Sequence, residues 1–183
     1  MKAITCLAPA ALAVGIAGTA WGFEISSPDV PAGGTVPDKQ VFNSFGCTGG
    51  NVSPALAWKD APEGTKSFAI TMYDPDAPTG SGWWHWVVFN IPASVNELKA
   101  GAGDPHADAA PEGAVQSMTD FGTTGYGGPC PPEGDKPHRY IFTVYALKVD
   151  KLPLDAKASG AMIGFYLNAN ALGKASFEAT YGR

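Results

Sequence analysis

Lys66-Ser67-Phe68-Ala69-Ile70-Thr71-Met72-Tyr73, followed at once by Asp74-Pro75-Asp76-Ala77-Pro78, is the stretch on which the fold turns. Phe68, Ile70 and Met72 alternate with Ser67, Ala69 and Thr71, and both sets are largely apolar or small. A strand buried on both faces reads this way, so Lys66–Tyr73 is expected at the centre of a sheet. The two prolines that follow end the strand and stiffen the turn after it. His85–Ile91 and His138–Val149 show the same pattern, and the three segments form the heart of a mostly antiparallel sheet or sandwich. Further strands are predicted at Phe23–Ser27, Val41–Phe45 and Ala175–Tyr181, with a Pro/Gly turn at Pro31, Gly33 and Gly34, and Asn51–Pro54 is turn chemistry leading into Ala55–Trp58. Ala93–Lys99 reads as a short helix capped by Ser94. Asp155–Leu172 carries Ala158, Met162, Phe165, Tyr166, Ala169 and Leu172 at helical spacing, with Gly173 as its stop.

The chain has 183 residues, enough for one domain with a full core. Its 23 glycines and 16 prolines are dispersed, which favours loop-rich β architecture over a helical bundle. Residues 1–22 read as an export signal: Lys2 supplies a positive start, Ala3–Ile16 an apolar run, and Gly18, Thr19, Ala20, Trp21 and Gly22 a cleavage region. The cut is placed before Phe23, with a cut after Ala20 as the alternative. A membrane anchor is disfavoured because the run is short and contains Pro9. The mature domain then spans 23–183, and the location is periplasmic or secreted. Cleavage would remove Cys6 and leave Cys47 and Cys130, for which a disulfide is the default in an oxidising compartment and two separate buried thiols the alternative. Loss of Lys2 moves the formal charge from −5 to −6. No Lys/Arg run exists, so nucleic acid and anionic membrane surfaces are poor partners.

Three islands carry polar chemistry. Asp74 and Asp76 sit on the proline-stiffened turn, where they serve either a site or the turn alone. Gly82-Trp83-Trp84-His85-Trp86 places a histidine among tryptophans, either as a ligand contact in an apolar wall or as a core imidazole bonded to a carbonyl. Gly125-Tyr126-Gly127-Gly128-Pro129-Cys130-Pro131-Pro132 is a rigid loop whose glycines allow close backbone approach and expose N–H donors. It leads to His138-Arg139-Tyr140, where period-two alternation sets His138 and Tyr140 on one face and Arg139 on the other.

In order, the run DPDAP, then WWHWVVFN, then GPCPP with HRYIFTVYAL, together with Asn51–Trp58, resembles the phosphatidylethanolamine-binding protein family, also called Raf kinase inhibitor-like proteins. The resemblance covers Phe23–Arg183, and the Gly-Trp-Trp-His-Trp form and short loops are similar to the bacterial branch. It implies a mostly β fold, with a central antiparallel sheet, a second small sheet and one or two peripheral helices. It implies a pocket for phosphate-like groups built from Asp74, Pro78, His85, Gly128, Pro129, His138 and Tyr140, with Asp76 holding the turn. Cys130 interrupts the Gly-x-Gly-Pro-Pro form of eukaryotic relatives, and a bond to Cys47 would pin the pocket rim.

The physical reading and the resemblance meet in one expectation. Asp74 alone would repel an anion, so it is expected to accept a hydrogen bond from a histidine and favour its protonated form. His85 or His138 would then donate to the ligand, helped by loop N–H groups. The chain is therefore expected to be a non-enzymatic binding protein for a small phosphate-like anion or phosphorylated headgroup, with no cofactor and no metal. A regulator acting on a protein partner is the alternative, and an enzyme using the Asp/His cluster ranks below both. No nucleophile elbow, HExxH or P-loop is present. Bacterial relatives suggest a homodimer, for which the sequence carries no interface signature.

Overall fold

The structure is a computed structural model that describes residues 22–183; the predicted export signal lies outside the described residues apart from Gly22. Eight strands and one helix follow in order: β1 (Glu24–Ser26), β2 (Leu56–Lys59), β3 (Ser67–Asp74), β4 (Trp83–Pro92), β5 (Glu97–Leu98), β6 (Val115–Gln116), β7 (His138–Leu147), α1 (Gly160–Asn170) and β8 (Ala171–Tyr181). The larger sheet runs β6-β4-β3-β7-β8 and the smaller one β1-β2-β5, with antiparallel pairing throughout. β3 is the middle strand, as its two apolar faces require.

Those two faces build two cores. Phe68, Ile70 and Met72 of β3 join Trp86, Val88, Phe142 and Val144, and against them pack Leu56, Trp58 and Leu98 of the small sheet. Ala69 of β3 joins Val87, Phe89 and Leu147 on the other face, covered by Ile163 and Leu167 of α1. The result is three layers: small sheet, large sheet, helix. Among the described residues no helix is long and apolar enough to cross a membrane.

Three local expectations fail for definite reasons. Val41–Phe45 is not a strand but an irregular segment. Its backbone is taken up in turns, with Val41 N–H donating to the Asp38 carbonyl and Cys47 N–H to the Ser44 carbonyl. Ala93–Lys99 is not helical: one turn closes from Val95 N–H to the Pro92 carbonyl, and Glu97–Leu98 then pairs with β2. The late helix starts at Gly160 rather than Asp155, because the Asp155 carboxylate accepts from Lys157 N–H in a local turn and Ser159 caps the helix. Nor does Gly173 stop it. Ala171 already has extended backbone, and Gly173 lies inside β8 paired with Ala146.

Candidate functional site

The site lies at one end of the large sheet, where three of its strands start or stop. Asp74 closes β3, Trp83 and His85 open β4, and His138 and Tyr140 open β7. Simple alternation would set His85 opposite Trp86, but it does not. The β3–β4 register jumps from Met72↔Trp86 to Tyr73↔Trp84, so His85 is the extra residue of a bulge. Its ring is thereby turned onto the face that carries Tyr140, 5.2 Å away between centroids.

A cavity of about 200 Å³ opens there. Asp74, His85, His138 and Tyr140 are each at most 4% exposed and make its floor. Its rim is supplied by Phe45, Pro78, Phe121 and Pro132. Of the residues expected from the sequence, Asp74, Pro78, His85, His138 and Tyr140 are brought together around this cavity.

Gly128 and Pro129 are placed elsewhere, behind the wall. Gly128 N–H donates to Asn51 Oδ1, and a side chain on Gly128 would collide with the Gln40 and Phe42 backbone. The Pro129 carbonyl accepts from Phe42 N–H, and Gly127 N–H donates to the His85 carbonyl. The Gly127 and Gly128 N–H groups are thus spent on protein acceptors rather than on the cavity. The same loop reaches the cavity through Cys130, Pro131 and Pro132 instead. Cys130 is bonded to Cys47, 83 residues earlier. The sequence does not single out Phe121, since a lone Phe in a Gly/Thr/Ser loop has no periodicity to reveal it, and it sets Phe45 at the end of a strand rather than at a site.

Three of the four polar groups of the floor are tied to protein partners. Asp74 Oδ1 accepts the N–H groups of Asp76 and Ala77, and Oδ2 takes Nδ1 of His138 at 2.8 Å. The histidine that meets Asp74 is therefore His138, whose Nε2 lies 3.5 Å from the Asp135 carboxylate. His85 is tied differently: a carbonyl can only accept, so its Nδ1 carries the hydrogen and donates to Gly127 at 2.7 Å. Burial lowers the His85 pKa to about 4, against the pull of the Gly127 carbonyl and the Asp74 charge. At neutral pH the ring is uncharged with its lone pair on Nε2. Burial, reinforced by Asp74, raises the Tyr140 phenol, which stays a donor at any ordinary pH.

Two donors in these walls have no partner among the described residues: the Tyr140 hydroxyl and the Trp83 indole N–H, both buried. An unpaired buried donor costs about 1–3 kcal/mol. Outside the cavity, Asp76 accepts from the Arg139 backbone N–H and from its guanidinium at 2.8 Å through Nε and Nη2. That bidentate bond holds the Asp76 carboxyl down at about 2 and pins the Asp-Pro turn to β7. Among the described residues no group of three or more His, Cys, Asp or Glu is placed to hold a metal ion.

Residues 26–182 match the family described as phosphatidylethanolamine-binding protein. The chain belongs to that family. Within it, this phosphatidylethanolamine-binding protein homologue is 54% identical over 159 residues to the UPF0098 protein YbcL of Escherichia coli K12, covering 87% of each chain. It is 51% identical to the UPF0098 protein YbhB of the same organism, over 86% of this chain and 99% of the relative. The crystal structure of E. coli YbcL, described as a new member of the mammalian PEBP family, superposes with a TM-score of 0.86 at 53% identity. It covers 88% of this chain and 98% of that one. The chain is thus a family member of the UPF0098 group, with the fold that membership implies.

Proposed function

We propose that this protein is an exported, non-enzymatic binding protein whose cavity takes a small phosphate-like anion, free or as the headgroup of a larger molecule. The observation that carries this reading is the pair of unpartnered donors, Tyr140 hydroxyl and Trp83 N–H, in the walls of one small cavity. Phosphate oxygens are acceptors that both could serve. The name of the family, which describes binding of a phosphorylated headgroup, points to the same chemistry. The disulfide fits an oxidising compartment.

His85 sets how binding depends on pH. An anion beside a neutral imidazole is favoured only if one proton is shared, carried either by Nε2 or by the phosphate itself. Both routes weaken binding as pH rises. Calorimetric titration of the purified protein with inorganic phosphate tests this. Affinity should fall between pH 5.5 and pH 8, and Tyr140→Phe should lower it about tenfold or more with the fold intact. Absence of binding by folded wild type, or affinity indifferent to both changes, would sink the reading.

A further inference from the structure

Phe45 sits where backbone cost and exposure both need a reason. Its side chain lines the cavity mouth yet is 65% exposed. Its backbone lies in the left-handed region, with φ of 56°. A bulky aromatic is strained there, and such strain persists only when the surroundings over-determine it. Three holds do so. Cys47, two residues on, is bonded to Cys130 on the facing loop. The ring packs against Phe42 at 5.5 Å and Phe121 at 5.8 Å. The third is Arg183, whose Nη2 donates to the Phe45 carbonyl at 3.4 Å and Nη1 to the Gly46 carbonyl at 3.3 Å. Its Nε donates to the Pro131 carbonyl at 2.6 Å. One guanidinium thus bridges both lips of the mouth.

This arrangement holds an aromatic face over a cavity whose floor is polar and whose rim is apolar. Inorganic phosphate would have no use for it. A phosphate carrying a flat or apolar substituent would, because the substituent leaves the floor past Phe45, Pro78 and Pro132.

Resting on the anion reading above, we propose that Phe45 determines specificity by selecting an apolar-substituted phosphate over inorganic phosphate, and that Arg183 is the positioning residue that holds Phe45 in place. The shared chemistry is the substituted phosphate, whether a free monoester or a lipid headgroup.

The test is calorimetric titration of wild type, Phe45→Ala, Phe45→Tyr and Arg183→Gln with inorganic phosphate and with phenyl phosphate. Wild type should prefer phenyl phosphate. Phe45→Ala should weaken phenyl phosphate about 3- to 10-fold while leaving inorganic phosphate within about twofold, and Phe45→Tyr should restore the preference. Arg183→Gln should reproduce the selectivity loss, with the double variant adding nothing further. A general loosening of the site would instead weaken both probes together. Sedimentation with phosphatidylcholine vesicles, with and without phosphatidic acid, separates the sources: Phe45-dependent retention by phosphatidic acid assigns the substituent to a lipid. Equal wild-type affinities, unchanged by Phe45→Ala and with no vesicle retention, overturn the inference and leave the anion reading standing. Folded wild type that binds no probe overturns both. If Arg183→Gln does not fold, the two Phe45 variants still decide.

Discussion

His85 stands buried in the cavity floor, its ring fixed by one hydrogen bond from Nδ1 to the Gly127 carbonyl. A histidine among tryptophans suggests a polar group in an apolar wall, and the ring does stand in the cavity floor. Period-two reasoning could not foresee the bulge that turns it there, because the extra residue is visible only in the pairing register. Nor could the sequence choose between the two histidines for Asp74; the folded chain gives that contact to His138, whose Nδ1 lies 2.8 Å from Asp74 Oδ2. The state of His85 leads to a stability prediction. Its folded pKa, about 4, lies below the ordinary 6.5, so between those values the unfolded chain binds more protons. Stability should be level above about pH 6.5 and fall as pH drops toward 4, by up to about 3 kcal/mol. Asp76 acts in a separate window: its stabilisation is complete above 3.8 and is lost as pH falls toward about 2. Urea unfolding at pH 7.5 and 4.5 therefore isolates His85. Wild type should lose stability at the lower pH and His85→Asn should lose much less; parallel losses would show that burial of His85 is not the cause.

At the scale of elements, the sequence was most legible where burial is two-sided and least where partners come from afar. β3, β4 and β7 could be read because each carries its apolar pattern within itself. Glu97–Leu98 could not, since only the distant β2 makes it a strand. The helix is an intermediate case. Its periodic residues were visible, but its start depended on an Asp155 turn and a Ser159 cap competing within five residues. The first helical residue, Gly160, gives a test in which two effects oppose. Alanine is a better helix former than glycine by about 1 kcal/mol. Yet a Cβ at Gly160 would run into the indole of Trp84, whose rigid ring cannot swing aside like a flexible chain end. Overpacking of this kind costs about 1–3 kcal/mol, so Gly160→Ala should be net destabilising by about 1 kcal/mol in urea unfolding. A more stable variant would mean that α1 shifts freely on the sheet.

The whole molecule divides into a sheet that fixes chemistry and loops that shape access. Asp74, His85, His138 and Tyr140 hang from three hydrogen-bonded neighbours, β3, β4 and β7, whereas the rim comes from segments around Phe45, Phe121 and Pro131. The sequence islands pointed to the floor because strand ends and prolines mark it; the aromatic rim came from loops whose meeting depends on the complete fold. One covalent bond joins two of those rim segments, Cys47 to Cys130. A cross-link over 83 residues acts chiefly on the unfolded chain, whose freedom it restricts, and on that entropic ground is worth about 3–5 kcal/mol. Removing it by Cys47→Ala with Cys130→Ala should lower unfolding stability by that amount. The floor should survive, because none of its hydrogen bonds passes through either cysteine. Inorganic phosphate affinity is accordingly expected to stay within about threefold of wild type, as only the rim loses a constraint. Urea unfolding and phosphate titration of the double variant read the two quantities separately. A stable variant that no longer binds phosphate would reverse the assignment, making the rim rather than the sheet the seat of anion recognition.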